Sequence, residues 1–192
     1  MADRYSFGEI RVTHTQNLVL PYVVGAQLPA LWSELEALNL GRGNIGMASD
    51  IICCPGGDFC SLANAKSIPL SAAIADKLAP IEDELGPLAI KLSGCINACA
   101  HHHVGHIGVL GVEKAGEDWY QIMLGGRADG EGRLGVLIGK AVRGEEVPAL
   151  IDRLARHYLS VRGKDESFIQ SVERLGAPAY KQALEAAAEV AA

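Results

Sequence analysis

The sequence predicts an α+β chain, a small strand-pair-and-helix unit followed by a larger domain of mixed sheet with flanking helices. Three observations predict it. Residues 9–20 alternate in the two-residue period of strands, and residues 28–38 then take up the 3.6-residue period of an amphipathic helix. Beyond Gly43 the composition shifts toward Gly, Ser and Cys, which places a domain boundary near residue 45 and gives units 1–45 and 46–192. Within the second unit, strand-like runs over 88–92, 106–113 and 119–124 are followed by a block of helical runs over 147–190, a segregation that suits an α+β chain. With 192 residues and 49% hydrophobic content, the chain can bury one good core or one and a partial second.

Each element follows from local chemistry. Ile10 and Val12 lie on one side of a strand, Arg11 and Thr13 on the other, and Pro21 limits the returning strand. Leu28, Leu31, Trp32, Leu35 and Leu38 share one helical face, with Gly41 and Gly43 as the expected stop. A unit of about 45 residues is too short to cover both faces of its own strands. Pro55, Gly56 and Gly57 break regular structure after Cys54. From Ser61 the run LANAKS is expected to be helical, placing Cys60 at a helix N-terminus, and Pro69 is expected to separate it from a helix over 71–78. Residues 88–92 read as a buried strand that delivers SGCINAC at its C-terminal end. Residues 106–113 and 119–124 read as two more strands. Helices are expected over 147–161, 167–175 and 178–190, with the alanine-rich end LEAAAEVAA fraying.

All five cysteines and four of the six histidines fall between Cys53 and Gly111. Cys54 and Cys60 form C-x5-C, and Cys95 with Cys99 forms C-x3-C after a gap of 34 residues. Four thiols from two short loops suit a soft metal centre far better than a disulfide framework. Structural zinc is the rival, although its knuckles favour C-x2-C to C-x4-C spacing. Burial as small hydrophobes accounts for one or two cysteines but not for four, and Cys53 is expected to face the core as a bystander. His101, His102, His103 and His106 are either loop imidazoles satisfied by hydrogen bonds or imidazoles presented to a cofactor.

Composition excludes other classes. The formal net charge of −6 argues against a nucleic-acid partner, which needs a basic face. No run of about 18 apolar residues spans a membrane, and MADRYSFGE lacks the basic and apolar segments of a signal peptide. A cytoplasmic location, where thiols stay reduced, is therefore expected.

These residues carry a resemblance. C-x5-C followed by GCxNxC, within DIICCPGGDFCSLANAKSI and LSGCINACAHHHVGHIGVLGV, resembles the iron-sulfur/sirohaem domain of the sulfite and nitrite reductase haemoproteins. The LGGR loop and ESFIQSVERLGAPAYK agree with it, and EIRVTHTQNLVLPYV is similar to the strand that opens the second ferredoxin-like half-domain of those enzymes. The resemblance implies a partial ferredoxin-like half-domain ahead of a 4Fe-4S/sirohaem domain. It implies cluster ligation by Cys54, Cys60, Cys95 and Cys99, with Cys99 shared as the axial ligand of sirohaem. It places Asn97, Gln16, Asn17 and Arg11 near the tetrapyrrole. It further implies sulfite or nitrite as substrate, ferredoxin or a flavoprotein as electron donor, and pairing with an N-terminal half or self-association. A stand-alone iron-sulfur electron-transfer or binding module is the alternative. The HHH run at His101–His103 departs from the family pattern, as does the lack of the basic cluster that the first half contributes.

Overall fold

A computed structural model describes residues 1–190, with side chains through residue 184. The chain divides into two compact units, Met1–Asn44 and Ile45–Ala192.

In the first unit, helix α1 (Ala2–Tyr5) precedes a short antiparallel pair, β1 (Arg11–Val12) with β2 (Leu18–Val19), and helix α2 (Leu28–Ala37). The turn between the strands closes on Thr13, whose Oγ1 accepts the Asn17 N–H at 2.9 Å, while Gln16 takes a left-handed φ of 63°. Buried Tyr5 donates its hydroxyl to Glu34 at 2.9 Å, and Leu31 is buried. The helix stops earlier than the glycines suggest. Asn39 supplies the left-handed residue (φ 57°), with Asn39 N–H bonded to Glu36 O and Leu40 N–H to Leu35 O, a Schellman closure that forestalls Gly41. Both strands are exposed, so the unit carries an uncovered apolar surface that includes Val12 at 83% exposure.

In the second unit the described residues form a mixed sheet. Strands β3 (Ile52–Cys53), β4 (Ile90–Ser93), β5 (Ile107–Lys114), β6 (Glu117–Leu124) and β7 (Val136–Leu137) lie in that order, and β8 (Val142–Arg143) also pairs with β6. The β3–β4 and β4–β5 pairs are parallel and the others antiparallel. One sheet face, carrying Ile90, Leu92, Ile107, Val109, Ile122 and Leu124, is buried in a common core with helical residues. These come from α4 (Ile68–Leu78), α6 (Val147–Val161), α7 (Phe168–Leu175) and α8 (Ala177–Val190), while the one-turn helices α3 (Gly56–Phe59) and α5 (Glu82–Leu85) lie before and after α4 in the chain. A capping box of Ser167 and Gln170 starts α7, and the buried Tyr180 hydroxyl donates to Ser171 at 2.8 Å.

Two helical expectations are corrected here. Residues 61–64 are not helical, because the Asn64 and Ala65 N–H groups are spent on Gly94 O at 2.9 and 3.0 Å rather than on a helix. Pro69 does not separate two helices; it sits in the first turn of α4, which begins at Ile68, where a proline costs no hydrogen bond. The alanine-rich end, expected to fray, is helical through Val190, and residues 191–192 lie outside the described residues. No helix of the described residues is long and apolar enough to cross a membrane.

Candidate metal centre

The parallel pairing of β3 with β4 sets Cys53 opposite Leu92, and Cys54 N–H extends the ladder to Leu92 O at 3.1 Å. Both cysteine loops therefore leave the same end of the sheet side by side. The first turns at Pro55 into α3, reaches Cys60, and comes back as an extended segment tied by Gly57 N–H to Ala65 O at 2.9 Å and by a Gly56–Lys66 bridge. Gly56 is obligatory there: its φ is +59°, and a Cβ would lie 2.4 Å from Ser67 Oγ. Asp58 holds the start of α4 by accepting the Ser67 N–H at 3.2 Å, and the Tyr120 hydroxyl donates to Lys66 O at 2.6 Å.

The second loop interlocks with the first through Gly94. Its carbonyl accepts the Asn64 and Ala65 N–H groups, and its own N–H donates to Cys54 Sγ at 3.1 Å. A Cβ on Gly94 would meet Ala65 O at 2.6 Å, and one on Gly111 would meet Gly94 O at 2.8 Å. Past Cys95 the chain turns tightly through two left-handed residues, Ala98 (φ 56°) and His101 (φ 55°), with the Ala100 N–H bonded to Ser93 Oγ at 3.3 Å.

Cys54 and Cys95 are buried at 8% and 7% exposure, Cys60 is half-buried, and Cys99 and Asn97 are exposed. The structure thus juxtaposes the two loops that carry these four free thiols. Among the described residues no three Cys, His, Asp or Glu side chains converge as closely as metal ligands do. The donor set, the glycine-lined cradle and the N–H directed at Cys54 Sγ nevertheless fit an iron-sulfur group, for which soft thiolates and hydrogen bonds to sulfur are the requirements. Cys60 sits at the C-terminal end of α3, not at a helix N-terminus, so no helix dipole assists its thiolate. Cys53 is half-buried against the core, with the Ser71 hydroxyl donating to its sulfur at 3.5 Å.

The remaining sequence candidates are placed as follows. In the first unit, the Arg11 guanidinium is exposed and donates to Glu9 at 2.5 Å and to the Tyr22 hydroxyl at 2.9 Å, which raises its pKa. Asn17 Nδ2 donates to Thr15 O at 3.2 Å. In the second unit, Arg127 is bound to Asp129 and Glu173. His106 Nδ1 accepts the Ala89 N–H at 3.2 Å, and burial, with Arg127 second, lowers its pKa. His101 is exposed, whereas His102 is wholly buried and stacked 4.0 Å from His103. Gly94, Ser67 and Ser93 carry the site's internal bonds; Gly94 is the glycine of the GCxNxC motif, but the sequence assigned none of the three a role. Their one signal is that Gly94 immediately precedes Cys95.

Fold and site together define an iron-sulfur protein of the nitrite and sulfite reductase type. Residues 48–191 match the family model of the nitrite and sulphite reductase 4Fe-4S domain, and residues 1–38 match that of the nitrite/sulfite reductase ferredoxin-like half domain; the chain belongs to this family. It is 30% identical over 158 residues to a ferredoxin–nitrite reductase of Synechococcus elongatus, covering 80% of this chain and 31% of that one. It is 29% identical over 181 residues to sulfite reductase [ferredoxin] 2 of Mycolicibacterium paratuberculosis, covering 88% and 33%. The structure of the Mycobacterium tuberculosis NirA protein superposes with a TM-score of 0.77 at 26% identity, covering 91% of this chain and 33% of that one. Dissimilatory sulfite reductase I shares the fold at a TM-score of 0.76 and 14% identity, covering 95% and 63%. The chain spans no more than a third of the curated relatives described here.

Proposed function

We propose that this chain is the cofactor-bearing portion of a cytoplasmic sulfite (or nitrite) reductase, with Cys54, Cys60, Cys95 and Cys99 as ligands of a 4Fe-4S cluster and Cys99 shared with sirohaem. The observation that carries the proposal is the pairing of β3 with β4, which sets the two thiol loops together with the Gly94 N–H on Cys54 Sγ. When bound, the cluster supplies single-electron relay and sirohaem an open iron face, the two requirements of a six-electron oxyanion reduction.

The chain's own residues divide the remaining work. Cys54 and Cys95 are the buried members of the set, and the Gly94 N–H hydrogen-bonds the Cys54 sulfur at 3.1 Å. Cys99 is the exposed member of the set, as a thiolate that serves a second iron needs to be. Asn97 beside it, and Arg11, Gln16 and Asn17 of the first unit, are assigned to the tetrapyrrole edge, where carboxylates require amide and guanidinium donors. Ferredoxin or a flavoprotein is the proposed electron donor. A first-half polypeptide, or a second copy of this chain, is the proposed cover for the apolar surface of residues 1–44; exposed Phe7, Val12, Leu18 and Trp32 support that assignment.

Anaerobic reconstitution of the chain with iron, sulfide and sirohaem tests the proposal through its visible spectrum. Cluster and sirohaem bands together are expected. Cluster absorption alone would reduce the protein to an electron-transfer module. A colourless protein retaining zinc at the same cysteines would overturn the proposal.

A further inference from the structure

At the far edge of the sheet from β3, the fold leaves a cleft that the metal centre does not use. Strand β7 pairs with β6 only at Met123 and Leu124, and β8 pairs with it only at Trp119 and Tyr120. Residues 139–141 between those strands pair with none, and a Cβ on Gly139 would meet nothing within 4 Å. The space bounded by this connection, α6 and α8 has a volume of about 580 Å³, within the range of pockets that hold one small ligand. The register Cys53–Leu92–Val109–Ile122 sets the cleft three strands from β3, roughly 14 Å at the usual strand spacing, and no thiol lines it.

The lining combines an apolar floor with charge of one sign. Ile122 and Ile138 form the floor at 3% and 5% exposure. Each helix contributes an apolar and a basic residue three positions apart, and so on one face: Leu150 with Arg153 on α6, and Lys181 with Leu184 on α8. Lys140 comes from the β7–β8 connection. Among the described residues no carboxylate lines the cleft, although the chain carries 23 Asp and Glu against 17 Lys and Arg. Neither Lys140 nor Arg153 forms an ion pair with a described residue, whereas Arg156 of the same helix is held by Asp152 at 3.0 Å. Such a lining complements a ligand whose apolar body displaces water from the floor and whose anionic head accepts charge-assisted hydrogen bonds at the rim.

We propose that this cleft binds a small amphipathic anion, an apolar body bearing a carboxylate, sulfonate or phosphate. Lys140 and Arg153 meet the head group, and Ile122, Ile138 and Leu150 lie under the body. The site stands apart from the cofactor reading, because it uses none of the cysteines.

The test uses the full-length apoprotein, with fluorescence for affinity and 15N-labelled amide spectra to locate binding. The probes are 8-anilinonaphthalene-1-sulfonate, the neutral N-phenyl-1-naphthylamine, which has the same rings without the sulfonate, and inorganic sulfate. The sulfonate probe is expected to shift the amides of Lys140, Val142, Leu150 and Arg153. The neutral probe should bind there about tenfold more weakly, the loss that goes with one charged hydrogen bond, and sulfate alone should leave those amides in place. Arg153→Gln and Lys140→Gln alter exposed side chains, and each should weaken the sulfonate probe about tenfold while leaving the neutral one unchanged. Leu137→Ser, at another exposed lining position, should weaken both probes alike. Equal affinity for the two aromatic probes would overturn the proposal, and so would unchanged sulfonate binding in both cation variants. Shifts confined to residues 1–44, or sulfate moving the cleft amides as far as the sulfonate probe does, would overturn it too. No iron or haem enters the experiment, so its outcome is separate from that of reconstitution.

Discussion

Replacing Gly94 by alanine tests the loop juxtaposition with a single methyl group. Gly94 does not need a left-handed backbone, so its role is one of space and hydrogen bonding. An added Cβ would sit 2.6 Å from Ala65 O, 2.9 Å from Gly56 Cα and 3.0 Å from Ser67 Oγ, and ordinary contact begins at 3.4 Å. The two loops would have to part by several tenths of an ångström at a place where both contacting atoms nearest the new methyl are backbone. Overpacking of this kind costs about 1–3 kcal/mol. The same displacement strains the bonds from Asn64 and Ala65 to Gly94 O and from Gly94 to Cys54 Sγ, each worth about 0.5–1.5 kcal/mol. Gly94→Ala is therefore expected to destabilise the apoprotein by about 2–4 kcal/mol, from the overpacking plus partial loss of those bonds. It should also sharply reduce cluster iron after reconstitution. Gly139→Ala is the control, because nothing lies within 4 Å of its Cβ position and its φ is not left-handed. Urea denaturation and iron analysis read both effects. If Gly94→Ala matches Gly139→Ala in midpoint and in iron content, the two loops do not interlock as described and the site argument fails.

Serine at Cys54, Cys60, Cys95 or Cys99 should each sharply lower cluster iron, while Cys53→Ser leaves it nearly intact; loss of the cluster in Cys53→Ser but not in Cys54→Ser would show the wrong register. Cys99→Ser should disturb the sirohaem spectrum as well as the cluster, and Cys54→Ser should affect the haem less; a haem spectrum that Cys99→Ser leaves unaltered removes the shared ligand. The apoprotein should lose stability as pH falls from about 6.5 through about 4, by up to about 3 kcal/mol, because the unfolded chain protonates His102 in that window and the folded chain does not. His102→Phe should flatten that slope in pH-dependent urea titrations, and an identical slope in the variant would exclude His102 as its source. The isolated chain, even when loaded with cofactor, should show no robust reduction of sulfite or nitrite with a chemical donor, and adding a first-half polypeptide should restore it; turnover by the isolated monomer would refute the reading of the chain as part of a larger catalytic assembly.

The elements that were legible in the sequence are those whose signal is periodic. Helix α6 has the bounds expected from its apolar spacing, and β5 and β6 fall within a few residues of theirs. What was not legible depends on distant partners. Residues 61–64 have helical composition, but two of the N–H groups over 64–65 find a better acceptor in Gly94 O, about thirty residues on, so the segment is pulled straight and Cys60 loses its expected helix. Strand β3 is two residues long, too short for any alternation to register, yet it sets the thiol loops beside each other. The cysteine spacing announced a metal centre; only the parallel β3–β4 pairing says why those two loops meet. His102 was visible as one of three identical residues, and nothing local separates the buried member from exposed His101. That difference arises from the left-handed turn at His101 and from Gly108 and Gly126, the two glycines that receive the next turn.

Charge explains why cofactor binding and catalysis are assigned to different segments of the working enzyme. An oxyanion beside a carboxylate-rich tetrapyrrole needs net positive potential, and removing one stabilising donor typically costs a hundredfold or more in rate. Arg127 is the arginine that follows the second cysteine loop in sequence, but its guanidinium is committed to Asp129 and to Glu173 at 2.8 Å, and those carboxylates raise its pKa further. Arg133 shares Glu173, and Glu131 also reaches Arg127, so this network sets two guanidinium groups against three carboxylates. A group of that composition orders the loop after β6 against α7; it does not project a field able to hold an anion. Lys66 and Lys91 are single ammonium groups on a chain of net charge −6. On the proposed reading the thiol loops hold the redox group, and the positive charge that would draw sulfite or nitrite to it is assigned to a partner surface.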